Sequence, residues 1–340
     1  MKKIFITGGL GFLGSKLAAE ALKKGHSVML YDSLIFEQDY NAILDEIRKE
    51  SGVASGTLEF VLADTRNSEM LRNAILSFKP DFLFHFAELA GIYICNKNPK
   101  YTEDINYLAS KKVLDIASEL KIPTIYNSTS NVYGNQKDLA LLSENVPLPE
   151  PSDEYSRYKI KMEEYVKEMS AKNPDWKIIV LRPATIWGVS PRMRLELLPS
   201  HFTYCAIAKG VIKIAEQEAY RAEIDVDDMI EAYLKIIETK AWPKLIYNVG
   251  HQNMKKIEIA KIIQSVTGCT IEAFGNLGDS RNLQIDSASF SADFGWTPKY
   301  SFEETVRKMK KWIEDHRMEF EKNQFSGVIN TPLSEWLKII

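Results

Sequence analysis

Three cysteines, Cys95, Cys205 and Cys269, and only five histidines are scattered along the 340 residues, with no metal-ligand spacing among them. An odd, widely separated set of thiols does not make a disulfide framework, and neither structural zinc nor any other metal site is expected. No basic run stands out: 43 Lys and Arg face 46 Asp and Glu, a formal net charge of -3, so nucleic acid is not the expected partner. No apolar stretch approaches the roughly 20 residues that cross a bilayer. The apolar start Ile4-Phe5-Ile6 is broken by glycines almost at once and reads as a strand, not a signal sequence, so a cytoplasmic location without membrane contact is expected. Internal repeats and low-complexity stretches are also missing. What is present is ordinary globular composition, 45% hydrophobic and 26% charged, ample for a buried core.

The first half alternates short apolar runs with helix-length segments. Residues 4–7, 27–31, 58–62, 82–86, 124–128 and 178–182 read as strands. Several are apolar on both faces, as parallel strands must be when helices cover both sides of a sheet. Helical patterns at 14–24, 69–78, 102–120 and 152–171 lie between them. This alternation predicts an α/β fold on a doubly wound parallel sheet with right-handed crossovers. Beyond about residue 183 the pattern loosens, punctuated by Pro183, Gly188, Pro191 and Pro199, with helices at 200–209, 227–239, 256–267 and 302–316 and a strand at 245–249.

Thr7-Gly8-Gly9-Leu10-Gly11-Phe12-Leu13-Gly14 follows the first strand and opens the first helix. Gly9, Gly11 and Gly14 fit the dinucleotide fingerprint literally, and Gly8, Gly11 and Gly14 fit its variant with wider first spacing. Glycine is needed because side chains would keep a pyrophosphate from the backbone N–H groups and the positive end of the helix dipole. The glycines alone also fit a turn with no ligand. Asp32, 18 residues beyond Gly14 at the end of the second strand, narrows the choice. A carboxylate there accepts from both hydroxyls of an adenosine ribose and repels a 2′-phosphate, which points to NAD over NADP. Asp64 and Thr65 close the third strand where adenine would lie; a plain turn aspartate fits the same position.

Tyr155-Ser156-Arg157-Tyr158-Lys159 opens a polar helical segment, so Tyr155 and Lys159, four apart, share a face. A free phenol titrates near 10 and is a poor base at neutral pH. A nearby ammonium and a positive nicotinamide ring favour the phenolate. Tyr155 can then accept the proton of a carbinol while hydride leaves the same carbon. The pair by itself is a common helical coincidence. It gains meaning beside Tyr126-Asn127-Ser128-Thr129-Ser130-Asn131-Val132-Tyr133-Gly134, which ends a strand and enters a loop, where open α/β sheets build their sites.

Together these motifs make the chain resemble the extended short-chain dehydrogenase/reductase family, in its NAD-dependent epimerase/dehydratase branch acting on nucleotide sugars. The likeness runs over about residues 2–316. It also includes His85-Phe86-Ala87, Asn106, Leu181-Arg182-Pro183, Arg221 with Val226-Asp227-Asp228, Tyr247-Asn248-Val249-Gly250, and Arg281 ahead of Phe294-Gly295-Trp296-Thr297-Pro298. It implies an NAD-binding Rossmann domain over 1–182, to which about 222–250 return, a smaller α/β substrate-binding lobe from 183–221 and 251–319, and a tail at 320–340. It implies a catalytic triad of Thr129, Tyr155 and Lys159. For the cofactor it implies Gly8, Gly11 and Gly14, Phe12 and Leu13 at the pyrophosphate, Asp32 and Ser33 at the ribose, and Asp64 and Thr65 at the adenine. Phe86, Ala87, Asn106, Lys159 and Pro183 would follow along the second ribose and the nicotinamide. Around the substrate it implies Glu88, Thr129, Ser130, Asn131, Tyr155 and Thr185, with Arg221 and Arg281 gripping the diphosphate as planar, always charged forks do. The helices at 102–120 and 152–171 resemble the pair that forms the family's dimer interface, so a homodimer is expected.

The chain also departs from the branch. Its dehydratases carry an Asp-Glu pair after the threonine, where this chain has Ser130 and Asn131. Neither is a strong acid or base, which disfavours a 4,6-dehydratase and a decarboxylase. The expected reaction is epimerisation, in which Tyr155 as base and NAD as hydride acceptor oxidise a sugar hydroxyl to a transient ketone that is then re-reduced. A dehydrogenase or reductase without epimerisation is the alternative. A non-catalytic NAD-sensing protein is a second, opposed by the retention of both Tyr155 and Lys159. On the substrate side an asparagine of the family is Thr185, a glycine-rich turn before Arg221 is Ala215-Glu216-Gln217-Glu218, and an aromatic is Glu223. Acids beside a dianionic diphosphate are unexpected, and Arg192 and Arg194 are the candidates to offset them.

Overall fold

The structure, a computed structural model, describes residues 1–36, 39–52, 58–135, 140–275 and 281–317; the expected tail at 320–340 lies outside the described residues. Seven strands build the main sheet: β1 (Lys3–Thr7), β2 (Ser27–Asp32), β3 (Leu58–Leu62), β4 (Phe82–His85), β5 (Thr124–Asn127), β6 (Ile178–Pro183) and β7 (Ile246–Val249). All pair in parallel, in the order β7-β6-β5-β4-β1-β2-β3. Six were expected from the first half of the chain; the seventh adds to the edge beside β6, with Ile246 opposite Val180.

The inner strands of the sheet are buried on both faces, and β1 shows why its sequence is apolar throughout. Ile4 and Ile6 face one way, into a core shared with the helices Phe12–Lys23 and Val226–Glu238. Phe5 faces the other way, against residues of Ser68–Phe78 and Ser110–Glu119. Each such side chain contributes about 1.5–3 kcal/mol on leaving water. Strand order reverses between β1 and β4, so a crevice opens at the carboxyl ends of these two strands, where doubly wound folds bind ligands.

Two helical features differ from expectation. Tyr40–Ser51 was not anticipated; it buries Ile43, Leu44 and Ile47 and is capped by the Asp39 carboxylate, which accepts from Asn41 N at 3.0 Å and Ala42 N at 3.2 Å. The single helix expected at 102–120 is three pieces: Pro99–Glu103, a π-helical turn Asp104–Ala109, and Ser110–Glu119. The wider turn directs Asn106 and Ser110 toward the loop that leaves β4.

Smaller sheets flank the main one. Thr185–Trp187, Tyr220–Asp225 and Gln252–Lys255 form a three-stranded sheet, Val211–Ile214 pairs with Thr270–Ala273, and Leu141–Leu142 pairs with Gln284–Ile285. A third apolar cluster centres on Trp187, whose ring lies 4.5 Å from that of Phe302. Helix Phe302–Asp315 starts in a capping box of Ser301 and Glu304. It is tied to the small sheet by Thr305 Oγ1 and Lys308 Nζ, which donate to Asp225 Oδ2 at 2.5 and 2.9 Å. Among the described residues no helix is long and apolar enough to cross a membrane.

Candidate active site

The glycine turn is shaped by close approach. Gly8 has φ +67°, and a Cβ on it would lie 2.6 Å from the Phe86 carbonyl carbon; a Cβ on Gly14 would lie 2.3 Å from Gly8 O. Gly11 N donates to Gly8 O at 3.0 Å, and helix Phe12–Lys23 then begins without any side-chain cap. Its start, with Phe12 and Leu13, is therefore open to an anionic ligand. The Asp32 carboxylate accepts from Leu10 N at 3.0 Å and Leu34 N at 2.9 Å, which fixes it at the rim of a groove. Gly8, Gly11, Asp32, Ser33, Thr65, Phe86 and Ala87 line that groove.

Two residues expected at the cofactor are engaged elsewhere. The Asp64 carboxylate turns to Arg66, accepting from Nη2 at 2.7 Å and from the backbone N at 2.8 Å, and these bonds hold it below the usual carboxylate range despite burial. Asn106, fully buried, donates to Leu89 O and accepts from Leu89 N, both at 2.8 Å. Its amide is spent on holding the loop after β4. Arg192, weighed for the diphosphate, instead lines the groove: its guanidinium lies 5.3 Å from the Phe36 ring centroid, and Nη1 reaches Leu10 O at 3.5 Å. Burial lowers it to about 10. Arg194 bonds to Glu196 at 2.6 Å and to Ala90 O at 3.2 Å.

Helix Glu154–Lys172 is started by Asp153, whose carboxylate accepts from Ser156 N at 2.8 Å. This cap puts Tyr155 in the first turn and Lys159 one turn later on the same side, with Nζ 5.8 Å from the Tyr155 ring centroid. Burial pushes the Tyr155 phenol up; the Lys159 charge opposes this, Glu88 adds to it, and a hydrogen bond with Thr129 lowers it. Lys159 Nζ donates to Asn127 O at the end of β5 and to Glu88 Oε2. Glu88, expected beside the substrate, lines the groove and has its carboxyl bonded to Lys159; burial pushes that carboxyl up against the pull of Lys159.

Behind this site lies a buried ion pair that the sequence pattern did not reveal. Arg182 donates from Nε and Nη2 to Glu163 at 2.9 and 2.6 Å, and from Nη1 to Tyr133 OH at 2.9 Å. Ser128 Oγ donates to Glu163 at 2.6 Å, and Tyr133 OH to Asn248 Oδ1 at 2.7 Å. The Leu-Arg-Pro, Val-Tyr-Gly and Tyr-Asn-Val-Gly motifs are therefore one network that fixes the segment carrying Thr129. Ser190 was also not foreseen; its hydroxyl donates to Phe12 O at 2.7 Å, joining the region after β6 to the glycine helix.

On the substrate side, Thr129 caps the short 3-10 turn Ser130–Tyr133 by accepting from Asn131 N at 3.2 Å. Asn131 Oδ1 accepts from Arg281 Nη1 at 3.4 Å, and Arg221 Nη1 donates to Arg281 O, so both arginines converge beside the Thr129 segment. Thr185 lies one strand away, opposite Glu223 in the small sheet. Pro183 ends β6 within the same region. Among the described residues no group of three or more His, Cys, Asp or Glu is placed to hold a metal ion.

A model of the NAD dependent epimerase/dehydratase family matches residues 4–250. The chain belongs to this family. Among its relatives, the probable UDP-arabinose 4-epimerase 3 of Arabidopsis thaliana is 27% identical over 92% of this chain and 81% of its own. The bifunctional UDP-glucose 4-epimerase and UDP-xylose 4-epimerase 1 of Pisum sativum is 23% identical over 93% and 96%. A UDP-glucose-4-epimerase from Stenotrophomonas maltophila, crystallised with NAD and formylated UDP-arabinopyranose, superposes with a TM-score of 0.84 at 21% identity, covering 94% of this chain and 99% of that one. A dTDP-glucose 4,6-dehydratase from Bacillus anthracis, in complex with NAD, gives 0.80 at 22%, over 94% and 98%. At such identities the two structures establish the fold that this member of the epimerase/dehydratase family shares with them.

Proposed function

We propose that the protein is an NAD-dependent nucleotide-sugar epimerase. The observation that carries this reading is the placement of Thr129, Tyr155 and Lys159 together at the carboxyl end of the sheet, beside a groove built on the glycine turn. The groove fits a dinucleotide: the approaches at Gly8 and Gly14 leave no room for a Cβ, and the uncapped helix start suits a pyrophosphate. Gly8, Gly11, Gly14, Phe12, Leu13, Asp32, Ser33, Thr65, Phe86, Ala87 and Pro183 would hold it, with Asp32 favouring NAD over NADP. When bound, NAD supplies the hydride acceptor.

Tyr155 accepts the proton of the sugar hydroxyl, and Thr129 orients that hydroxyl toward it. Lys159 favours the phenolate by its charge. The same Tyr155 returns the proton after the ketone has turned its other face. Ser130 and Asn131 supply no acid or base for loss of water, which supports epimerisation over dehydration. Arg221 and Arg281 are suited to the substrate diphosphate. The UDP-sugar 4-epimerases among the relatives make UDP-sugars, attacked at C4, the substrates to try first.

The reading extends to two lobes, a Rossmann domain and a substrate lobe completed by the small sheets. It also extends to a homodimer paired through Glu154–Lys172 and the segment Pro99–Glu119, which carries the exposed Leu108. Its three unpaired, buried cysteines suit a cytoplasmic protein. The test is turnover of UDP-glucose, UDP-galactose and the UDP-pentoses, followed by NMR. Tyr155→Phe should lower kcat by about 10²–10⁴-fold with NAD binding retained, and unchanged turnover in that variant refutes the mechanism.

A further inference from the structure

We propose that Glu88 is a positioning residue that acts through Lys159, holding its ammonium in a charge-balanced socket and so setting the protonation balance of Tyr155. This rests on Tyr155 being the acid–base group.

The socket is specific. Glu88 and Lys159 side chains are 5% and 4% exposed. One carboxylate oxygen takes the Lys159 ammonium; the other accepts from Tyr126 OH at 2.9 Å and Ser110 Oγ at 3.3 Å. Among the described residues Glu88 is the one carboxylate bonded to Lys159, whose other acceptor is the neutral carbonyl of Asn127. The neighbouring residue, Leu89, is pinned at both its N–H and its carbonyl by Asn106. Asn106 and Ser110 come from the π-helical turn and the residue after it, so that irregularity has a use: it aims two side chains at one short loop.

The electrostatic consequence follows from where the charges sit. An ammonium held only by a neutral carbonyl projects its full field on a phenol one helical turn away; a carboxylate bonded directly to it cancels much of that field. The other groups around Tyr155, and Arg281 bonded to Asn131 beyond Thr129, are the same in parent and variant, so a Glu88 substitution alters this balance alone. On its own helix lies Asp153, turned to Ser156. His85, at the end of β4, is fully buried and its ordinary value is lowered to about 3, so it is neutral. Tyr126 and Thr129 face it from β5 and the loop beyond, Cys95 from Ile92–Lys97 and Tyr233 from Val226–Glu238, all uncharged near neutral pH. The Arg182–Glu163 pair behind Ser128 is internally balanced.

The experiment reads the Tyr155 phenolate directly, as near-ultraviolet absorbance against pH, with the Tyr155→Phe titration subtracted. Glu88→Gln removes one charge at nearly constant shape. Its Tyr155 midpoint should fall by about one to three pH units, with NAD affinity and melting temperature showing that the variant is folded. A purely space-filling or structural role would leave the midpoint in place. A folded Glu88→Gln with an unmoved or raised midpoint overturns the proposal. If Glu88→Gln does not fold, Glu88→Asp decides: it keeps the charge but draws it back by one methylene, and its midpoint should move down by less; no movement overturns the proposal. The two readings fail separately. Full epimerase turnover in Tyr155→Phe would refute the assigned mechanism, whereas a dead Tyr155→Phe with an unmoved Glu88→Gln midpoint would refute the role of Glu88 alone.

Discussion

Arg182→Met tests whether the buried network behind the Thr129 segment holds that segment in place. The substitution removes the charge-assisted bonds of Nε and Nη2 to Glu163, at 2.9, 3.2 and 2.6 Å, and those of Nη1 to Tyr133 OH at 2.9 Å and Glu144 O at 3.3 Å. Glu163, 1% exposed, is left with Ser128 as its remaining hydrogen-bond donor. Stranding one member of a buried ion pair costs about 3–5 kcal/mol. With an unfolding entropy of roughly 2.1 cal/mol/K per residue, a chain of this length loses about 0.7 kcal/mol per degree, so the melting temperature should drop by about 4–7 °C. Adding Glu163→Leu removes the stranded charge and should recover most of the loss, since apolar replacements of buried pairs are often neutral or better. Calorimetry and urea unfolding of the two variants beside the parent give both numbers. A single variant that melts like the parent, or a double variant that melts as low as the single, refutes the assignment.

Gly14→Ala places a Cβ 2.3 Å from Gly8 O and 2.7 Å from Gly9 Cα; backbone cannot rotate aside, so the helix start must shift, at about 1–3 kcal/mol. NAD affinity by calorimetric titration should fall about 5–150-fold, and an unchanged affinity would contradict the close-packed turn. His85, held neutral with its value lowered from 6.5 to about 3 by burial and the nearby Lys159 charge, gives a pH dependence of definite sign. The unfolded chain takes up a proton that the folded chain refuses. This stability is therefore fully present above about 6.5 and is lost as pH falls toward 3, by up to ~1.4 kcal/mol per pH unit. His201, lowered to about 4 by burial, acts in the same direction. His85→Asn should flatten the slope between about pH 6 and 4.5 by close to one proton, and parallel slopes in urea unfolding would exclude the effect.

Strands of the main sheet were legible to within a residue because a parallel strand buried on both faces is a continuous apolar run, as in Phe82–His85, Thr124–Asn127 and Ile178–Pro183, whereas the short strands of the small sheets, such as Thr185–Trp187 and Tyr220–Asp225, were not read. The strand at Ile246–Val249 could be read as a strand, and the family resemblance returned about 222–250 to the Rossmann domain, but no local pattern shows its pairing with β6, which lies far back in the chain. The helix Tyr40–Ser51 escaped because its buried stripe is only Ile43, Leu44 and Ile47, with Ser51. That Tyr155 and Lys159 lie on one side of their helix was legible from their spacing of four. The same logic fails where a polar side chain chooses its partner in three dimensions. Asp64 prefers Arg66 and Asn106 prefers Leu89. Neither Glu88 nor Glu163 carries any local sign of the cation that it meets.

The acids of the substrate side show how the structure settles a conflict that composition creates. Glu216, Glu218 and Glu223 stand where a dianionic diphosphate should meet only positive charge. Glu216 is paired with Lys256 at 3.1 Å and Glu218 with Lys255 at 2.6 Å, so both are balanced within the lobe. Glu223 is 1% exposed, and neither oxygen of its carboxyl has a hydrogen-bond partner among the described residues. Burial pushes it well above the usual carboxylate range, against only the opposing pull of Arg221. An isolated buried carboxylate takes a proton sooner than keep its charge. Burial thus favours the neutral form of Glu223, so at this position the acid opposes the charge of Arg221 less than a solvated glutamate would.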